Sequence, residues 1–136
     1  DGVASNNNLD ILEELSTTAK LHKALNHDPE FLPARDAFAM LTIDAAKALG
    51  KDAEVGSLEP DKAADLCIIN THELQGQPLY NPYSHLVYAL SSRHIRDVMV
   101  AGKLVVNEYR PVFCNTEDLL DRARYWKDKI VREIGL

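Results

Sequence analysis

Near Gly50 the apolar residues change their spacing, and this limits the fold more than any other feature of the chain. Before it, in "LDILEELSTTAKLHKALNHDP", Leu9, Leu12, Leu15, Ala19 and Leu25 stand at helical spacing, as in a helix with one buried face. After it the apolar residues come in short β-branched runs, "LCII", "DVMV" and "LVV", bounded by turn residues, which is the pattern of strands. The chain is therefore mixed α/β. Three or four strands and five helices follow from these patterns, too few to close a barrel. A hairpin is marginal in water without a third strand or a covering helix, so some strands are expected to find partners outside these 136 residues.

The local signals agree with this division. Asp10, Glu13 and Glu14 sit in the first turns of the first helix, where the macrodipole favours acids, and Asn7 or Asn8 is the expected N-cap. "LPARDAFAMLTIDAAKALG" predicts two short helices, with Pro33 in the first turn, Thr42 capping the second helix and Gly50 closing it. Their alanines (Ala37, Ala39, Ala45, Ala46, Ala48) permit close helix packing. "VGSLEPDKAADLCIIN" is a turn around Pro60 followed by a strand at 66–69, and "IRDVMVAGKLVVNEYRPV" is a hairpin turning at Ala101-Gly102. A short helix follows Pro82. The end of the chain, "NTEDLLDRARYWKDKIVREIGL", predicts an amphipathic helix capped by Asn115 or Thr116. Its stripe of Leu119, Ala123, Trp126, Ile130 and Ile134 is expected to pack against protein.

Composition excludes several classes of function. With 46% apolar and 26% charged residues the chain suits one globular domain with a core, or a piece of a larger one. No apolar run approaches the roughly eighteen residues of a membrane span. The net charge of −6 is spread along the chain, which disfavours nucleic acid as a partner. Cys67 and Cys114 lie far apart with no CxxC, as expected of reduced thiols in a cytoplasmic protein, and Cys67 is expected to behave as a small core hydrophobe.

Few residues suggest chemistry by themselves. The five histidines, His22, His27, His72, His85 and His94, form no HxH and no HExxH, and each reads first as a packing residue. His85 is the least ordinary, because "SHLVY" puts it on an apolar helix. No Gly-x-Ser-x-Gly occurs, and "LGKDAE" is a helix stop rather than a phosphate loop. The pairs Glu13-Glu14 and Glu117-Asp118 are accounted for by the helix dipole. One segment remains. "DGVASNNNLD" begins without methionine, and while helix capping explains its asparagines, nothing local explains Asp1-Gly2, so the start is expected to be the cut edge of a larger protein.

A resemblance accounts for it. "DGVASNNNLDILEE", "LPARDAFAMLTIDAAKALG", "VGSLEPDKAADLCIIN" and "PLYNPYSHLVYALSSRHIRDVMVAGKLVV", in this order and spacing, resemble the C-terminal portion of the amidohydrolase superfamily. The similarity is to the branch of 5-methylthioadenosine/S-adenosylhomocysteine deaminases and chlorotriazine hydrolases. It implies that residues 1–54 end a (β/α)8 barrel. Residues 55–114 would be the C-terminal strands of a composite β-sandwich with a short inserted helix, and 115–136 the terminal amphipathic helix. It also implies a hydrolytic deaminase of an adenosine-like or other amino-heterocycle, dependent on zinc or another divalent metal. In such enzymes an aspartate ending the eighth strand is the last metal ligand, and Asp1 falls on it, as ligand and catalytic base. Gly2 to Asn8 would form the loop at the C-terminal face of the barrel, where active sites of this fold lie. One departure is Asp61, which stands where relatives often have glycine.

The implied partners are a small-molecule substrate and the missing N-terminal part of the same protein. Relatives are commonly homo-oligomers. Related enzymes with this tail also remove chloride from triazines or deaminate guanine, and upstream loops decide between substrates. The competing class is a non-enzymatic α/β interaction module that binds a partner chain along its strand edges.

Overall fold

The first helix, α1 (Ile11–Asn26), is capped by Asp10 rather than by the asparagines before it. The Asp10 carboxylate accepts from the backbone N–H of Leu12 (3.1 Å) and Glu13 (3.3 Å), satisfying two of the helix's free donors. Leu9, at φ +49°, separates the asparagines from the cap, and Asn8 Oδ1 accepts instead from the N–H of Asp10. The computed structural model describes residues 7–135. Leu12, Leu15 and Ala19 are buried, whereas Leu9 and Leu25, each 66% exposed, lie off the core.

Helices α2 (Ala34–Leu41) and α3 (Ile43–Ala48) follow. Pro33 takes the position just before the first turn of α2, and its carbonyl accepts from Asp36 and Ala37. Thr42 stands at the start of α3 without capping it. Its hydroxyl instead donates back to the Phe38 carbonyl at 2.9 Å, which turns it toward the preceding helix, and it makes no cap bond to α3. Gly50, at φ +66°, closes α3 as expected: its N–H reaches the Lys47 carbonyl and the next N–H, of Lys51, reaches that of Ala46. The chain then crosses α3 so closely that a Cβ on Gly56 would lie 2.7 Å from that of Ala46.

The core is small and made largely of alanine contacts. Leu15 and Ala19 of α1 meet Ala37 of α2 and Val87, with Leu32, Phe38 and Leu41 packed around them. Val87 belongs to α4 (Pro82–Ser84) and its continuation, a single π-helical turn over His85–Ala89. Asn81 starts this segment by accepting from Ser84 N–H.

Four strands form one antiparallel sheet in the order β1 (Leu66–Ile69), β2 (Ile95–Val100), β3 (Lys103–Asn107) and β4 (Arg110–Pro111). The hairpin turns at Ala101 (φ +48°) and Gly102 (φ +76°), the pair of left-handed residues that a two-residue turn matched to strand twist requires. The next turn is built alike, from Glu108 and Tyr109, neither of them glycine. Asp97 holds it. This buried carboxylate accepts from Glu108 N–H at 2.8 Å and from the Arg96 guanidinium at 2.7 Å. Asp61 adopts φ +71°, the conformation for which a glycine would be favoured.

One expectation is corrected here, and another is not met within the described residues. Cys67 is exposed rather than in the core, because β1 is an outer strand of the sheet; both cysteines are free thiols. Helix α5 (Thr116–Ile134), capped by Asn115 through Glu117 N–H, buries none of its described residues. Leu119, Trp126, Ile130 and Ile134 are all about half exposed or more, since no other described element packs substantially against them. No described helix is long and apolar enough to cross a membrane.

Candidate active-site segment

Asp1, the one residue assigned a role in chemistry by the sequence, lies outside the described residues, as do the residues up to Asn6. The described part of the segment begins at Asn7 and runs into the α1 cap. Asn8 donates through Nδ2 to the Glu13 carboxylate and accepts at Oδ1 from Asp10 N–H. Asp10 makes a further bond that its sequence position does not suggest. Its second oxygen accepts from the Ser92 hydroxyl at 2.5 Å, across 82 positions of sequence. The Ser92 hydroxyl is the largest influence and holds this carboxyl below the usual aspartate range; burial, the next largest, opposes it, and the N–H groups of Glu13, Leu12 and Ser92 add smaller lowering effects.

Ser92 is itself fixed. It opens a 3₁₀ turn, Ser92–His94, that leads directly into β2. At that turn the buried His94 accepts at Nδ1 from Ser91 N–H (3.1 Å), while His94 N–H donates to the Ser91 carbonyl (3.0 Å). With Nδ1 accepting, Nε2 carries the proton; it is buried and has no hydrogen-bond partner among the described residues, and it lies 3.7 Å from the Glu73 carboxylate. His94 had no distinguishing mark in the pattern of histidines. The signal available was the Ser-x-x-His spacing of Ser91 and His94, which imitates a reciprocal helix cap.

The other histidines stay apart. His85 Nδ1 lies 3.1 Å from the Asn81 carbonyl, and its ring lines an apolar hollow of about 230 Å³ with Cys67, Ile69, Leu79, Pro82 and Leu86. Those apolar neighbours push the Cys67 thiol up, away from reactivity. His22 stacks on Phe31 and His27 ends α1 in the left-handed conformation. Among the described residues no three His, Cys, Asp or Glu side chains converge, so these residues do not fit a metal ion by themselves.

The amidohydrolase family profile matches residues 1–105. The chain belongs to the amidohydrolase family. It is 43% identical over 130 residues to a 5-methylthioadenosine/S-adenosylhomocysteine deaminase of Thermodesulfovibrio yellowstonii, covering 96% of this chain and 30% of that protein. Among solved structures, a zinc-bound adenosine deaminase from Xanthomonas campestris superposes with a TM-score of 0.91 at 38% identity, over 96% of this chain and 30% of that one. An atrazine chlorohydrolase from Arthrobacter aurescens, complexed with zinc, superposes at 0.78 with 28% identity, over 91% and 28%. The chain thus spans about 30% of the length of the amidohydrolases it matches first. Helices α1 to α4 and strands β1 and β2 fall within the family match, which ends inside β3, and β4 and α5 follow it.

Proposed function

We propose that the protein containing this segment is a metal-dependent aminohydrolase that releases ammonia from an adenosine-like ring, and that Asp1 is both a metal ligand and the base. One observation carries the reading: the family match over residues 1–105, joined to 43% identity with a protein named 5-methylthioadenosine/S-adenosylhomocysteine deaminase. Residues 1–54 end the barrel, 55–114 supply strands β1 to β4 to a β-sandwich completed by the N-terminal part of the protein, and 115–136 form the terminal helix. The remaining metal ligands and the general acid come from the preceding residues. The same reading places the enzyme in the cytoplasm as a homo-oligomer.

Zinc, or another divalent metal, supplies the acidity: in such sites the pKa of water falls to about 7. Asp1 takes the proton of the water that adds to the amidine carbon. It then hands that proton to the departing amino group, so the ring gains oxygen, the C–N bond breaks and ammonia leaves. One carboxylate therefore acts twice.

The test is Asp1→Asn in the intact protein, assayed on 5-methylthioadenosine, S-adenosylhomocysteine and a chlorotriazine. Turnover is expected to fall by about 10² or more while KM changes little, because a general base is lost and the shape is kept. Turnover within a few-fold of wild type would remove Asp1 from the mechanism. Activity on the triazine alone would replace the deaminase reading with dechlorination.

A further inference from the structure

A side-chain bond with no counterpart in the sequence pattern, from Ser92 to Asp10, ties the described residues before α1 to the turn that opens β2. Both ends of the tie are anchored. On one side, Asp10 caps α1 through Leu12 and Glu13, and Asn8 is bonded both to the Asp10 N–H and to the Glu13 carboxylate. On the other side, Ser92 belongs to the turn organised by Ser91 and the buried His94, and the residue after that turn begins β2. A helix cap needs only the oxygen facing Leu12 and Glu13. The second oxygen of Asp10 is spent on a residue 82 positions away.

We propose that the Ser92–Asp10 hydrogen bond is a positioning contact: it registers the start of α1, nine residues after Asp1, against the turn that opens β2, and turnover depends on that register. This rests on the role proposed for Asp1. Ser92 and Asp10 are positioning residues; neither is placed in contact with substrate. The physical basis is that a reacting group must be held to within a fraction of an ångström, and a misplacement of about 1 Å caused at a distance can cost on the order of 10²-fold in rate. A carboxylate bonded on three sides is a stiff anchor, and it stands nine residues after Asp1.

The experiment compares Ser92→Ala, Ser92→Thr, Asp10→Asn and Asp1→Asn in the intact enzyme with 5-methylthioadenosine as the substrate. Readouts are kcat and KM, thermal melting, and amide hydrogen exchange across residues 7–13 without substrate. Ser92→Ala is expected to lower kcat about tenfold with KM within about twofold, to speed exchange across 7–13, and to leave the cooperative melt in place. Asp10→Asn keeps the cap acceptor and weakens the bond to Ser92, so it should reproduce the same split between kcat and KM. Ser92→Thr retains the hydroxyl and should restore both rate and protection. If Asp1→Asn collapses turnover while Ser92→Ala keeps kcat within twofold and exchange unchanged, the positioning role is wrong and the deaminase reading stands. A loss in Ser92→Ala that Ser92→Thr does not recover, or that only tracks the fraction unfolded, also overturns it. If Asp1→Asn is as active as wild type, the reading and the positioning role fall together.

Discussion

Helices α1 and α5 were written in the same chemical language and end in different situations. Each has a side-chain N-cap (Asp10, Asn115), a pair of acids in the first turn and a left-handed residue after the last (His27, Gly135). Each carries an apolar stripe. Yet α1 buries Leu12, Leu15 and Ala19 against α2 and the π-helical turn, whereas α5 buries none of its described residues. An amphipathic stripe therefore states that a helix needs a partner and says nothing of where that partner is. For α1 the partner follows within sixty residues of sequence; for α5 no described element supplies it.

The sharpest way to break this comparison is to truncate one stripe residue in each helix. In urea melts of this chain, Leu15→Ala is expected to cost about 2–5 kcal/mol, since Leu15 is only 6% exposed and its removal leaves a cavity among Ala19, Ala37 and Val87. Trp126→Ala should stay within about 0.5 kcal/mol, as for a surface substitution, because that ring is 52% exposed. Trp126 is the only tryptophan, so its fluorescence reports on α5 directly: emission should sit at the wavelength of a hydrated indole and hardly shift on unfolding. A buried emission spectrum, or equal costs for the two substitutions, would show that α5 has found a covering surface.

What could be read in the sequence was local. The helices, the strand at Leu66–Ile69, the turn at Ala101-Gly102 and the Gly50 stop each rest on spacing or on one residue's backbone freedom, and each is where those signals put it. The errors arose where two local signals competed or where a distant residue decided. Asn7, Asn8 and Asp10 are all good caps, and the left-handed Leu9 chose among them. Thr42 was free to cap α3 forward or to bond backward to Phe38, and it bonds backward. Cys67 sits in an apolar run, but a run of four has no face until the sheet assigns one, and β1 became an outer strand. The site was legible only as a family pattern at Asp1; the bond between Asp10 and Ser92 joins two residues that are each ordinary in their own neighbourhood.

Removing the caps sharpens the comparison from the polar side. Asn115→Ala deletes a single bond, to Glu117 N–H, and should cost about 1 kcal/mol of α5 helicity, visible as a lower far-ultraviolet signal at moderate temperature. Asp10→Ala deletes two backbone bonds and the tie to Ser92, so it is expected near the top of the capping range, about 2 kcal/mol, measured as a shift in the urea midpoint. If the two caps prove equal, the Ser92 contact adds no stability, and its effect would have to be found in the geometry of the segment before α1 alone.

The smallest effect concerns acid. The Asp10 carboxyl is held below its ordinary value chiefly by the Ser92 hydroxyl, and that of Asp97 by Glu108 N–H and then by Arg96. For a carboxyl lowered on folding, the unfolded chain binds the proton more readily. Its contribution to stability is then complete above the unfolded pKa, about 3.9, and disappears as pH falls through the lower folded value. The melting temperature should respond little to these groups between about pH 5 and 8 and fall below about pH 4. Ser92→Ala isolates the Asp10 part. It raises the folded pKa of Asp10 toward the unfolded one, so the small gap in melting temperature between wild type and Ser92→Ala should be constant near neutrality and close as Asp10 becomes protonated in both. A gap that persists unchanged at pH 3 would mean that Ser92 stabilises α1 through packing rather than through the charged carboxylate.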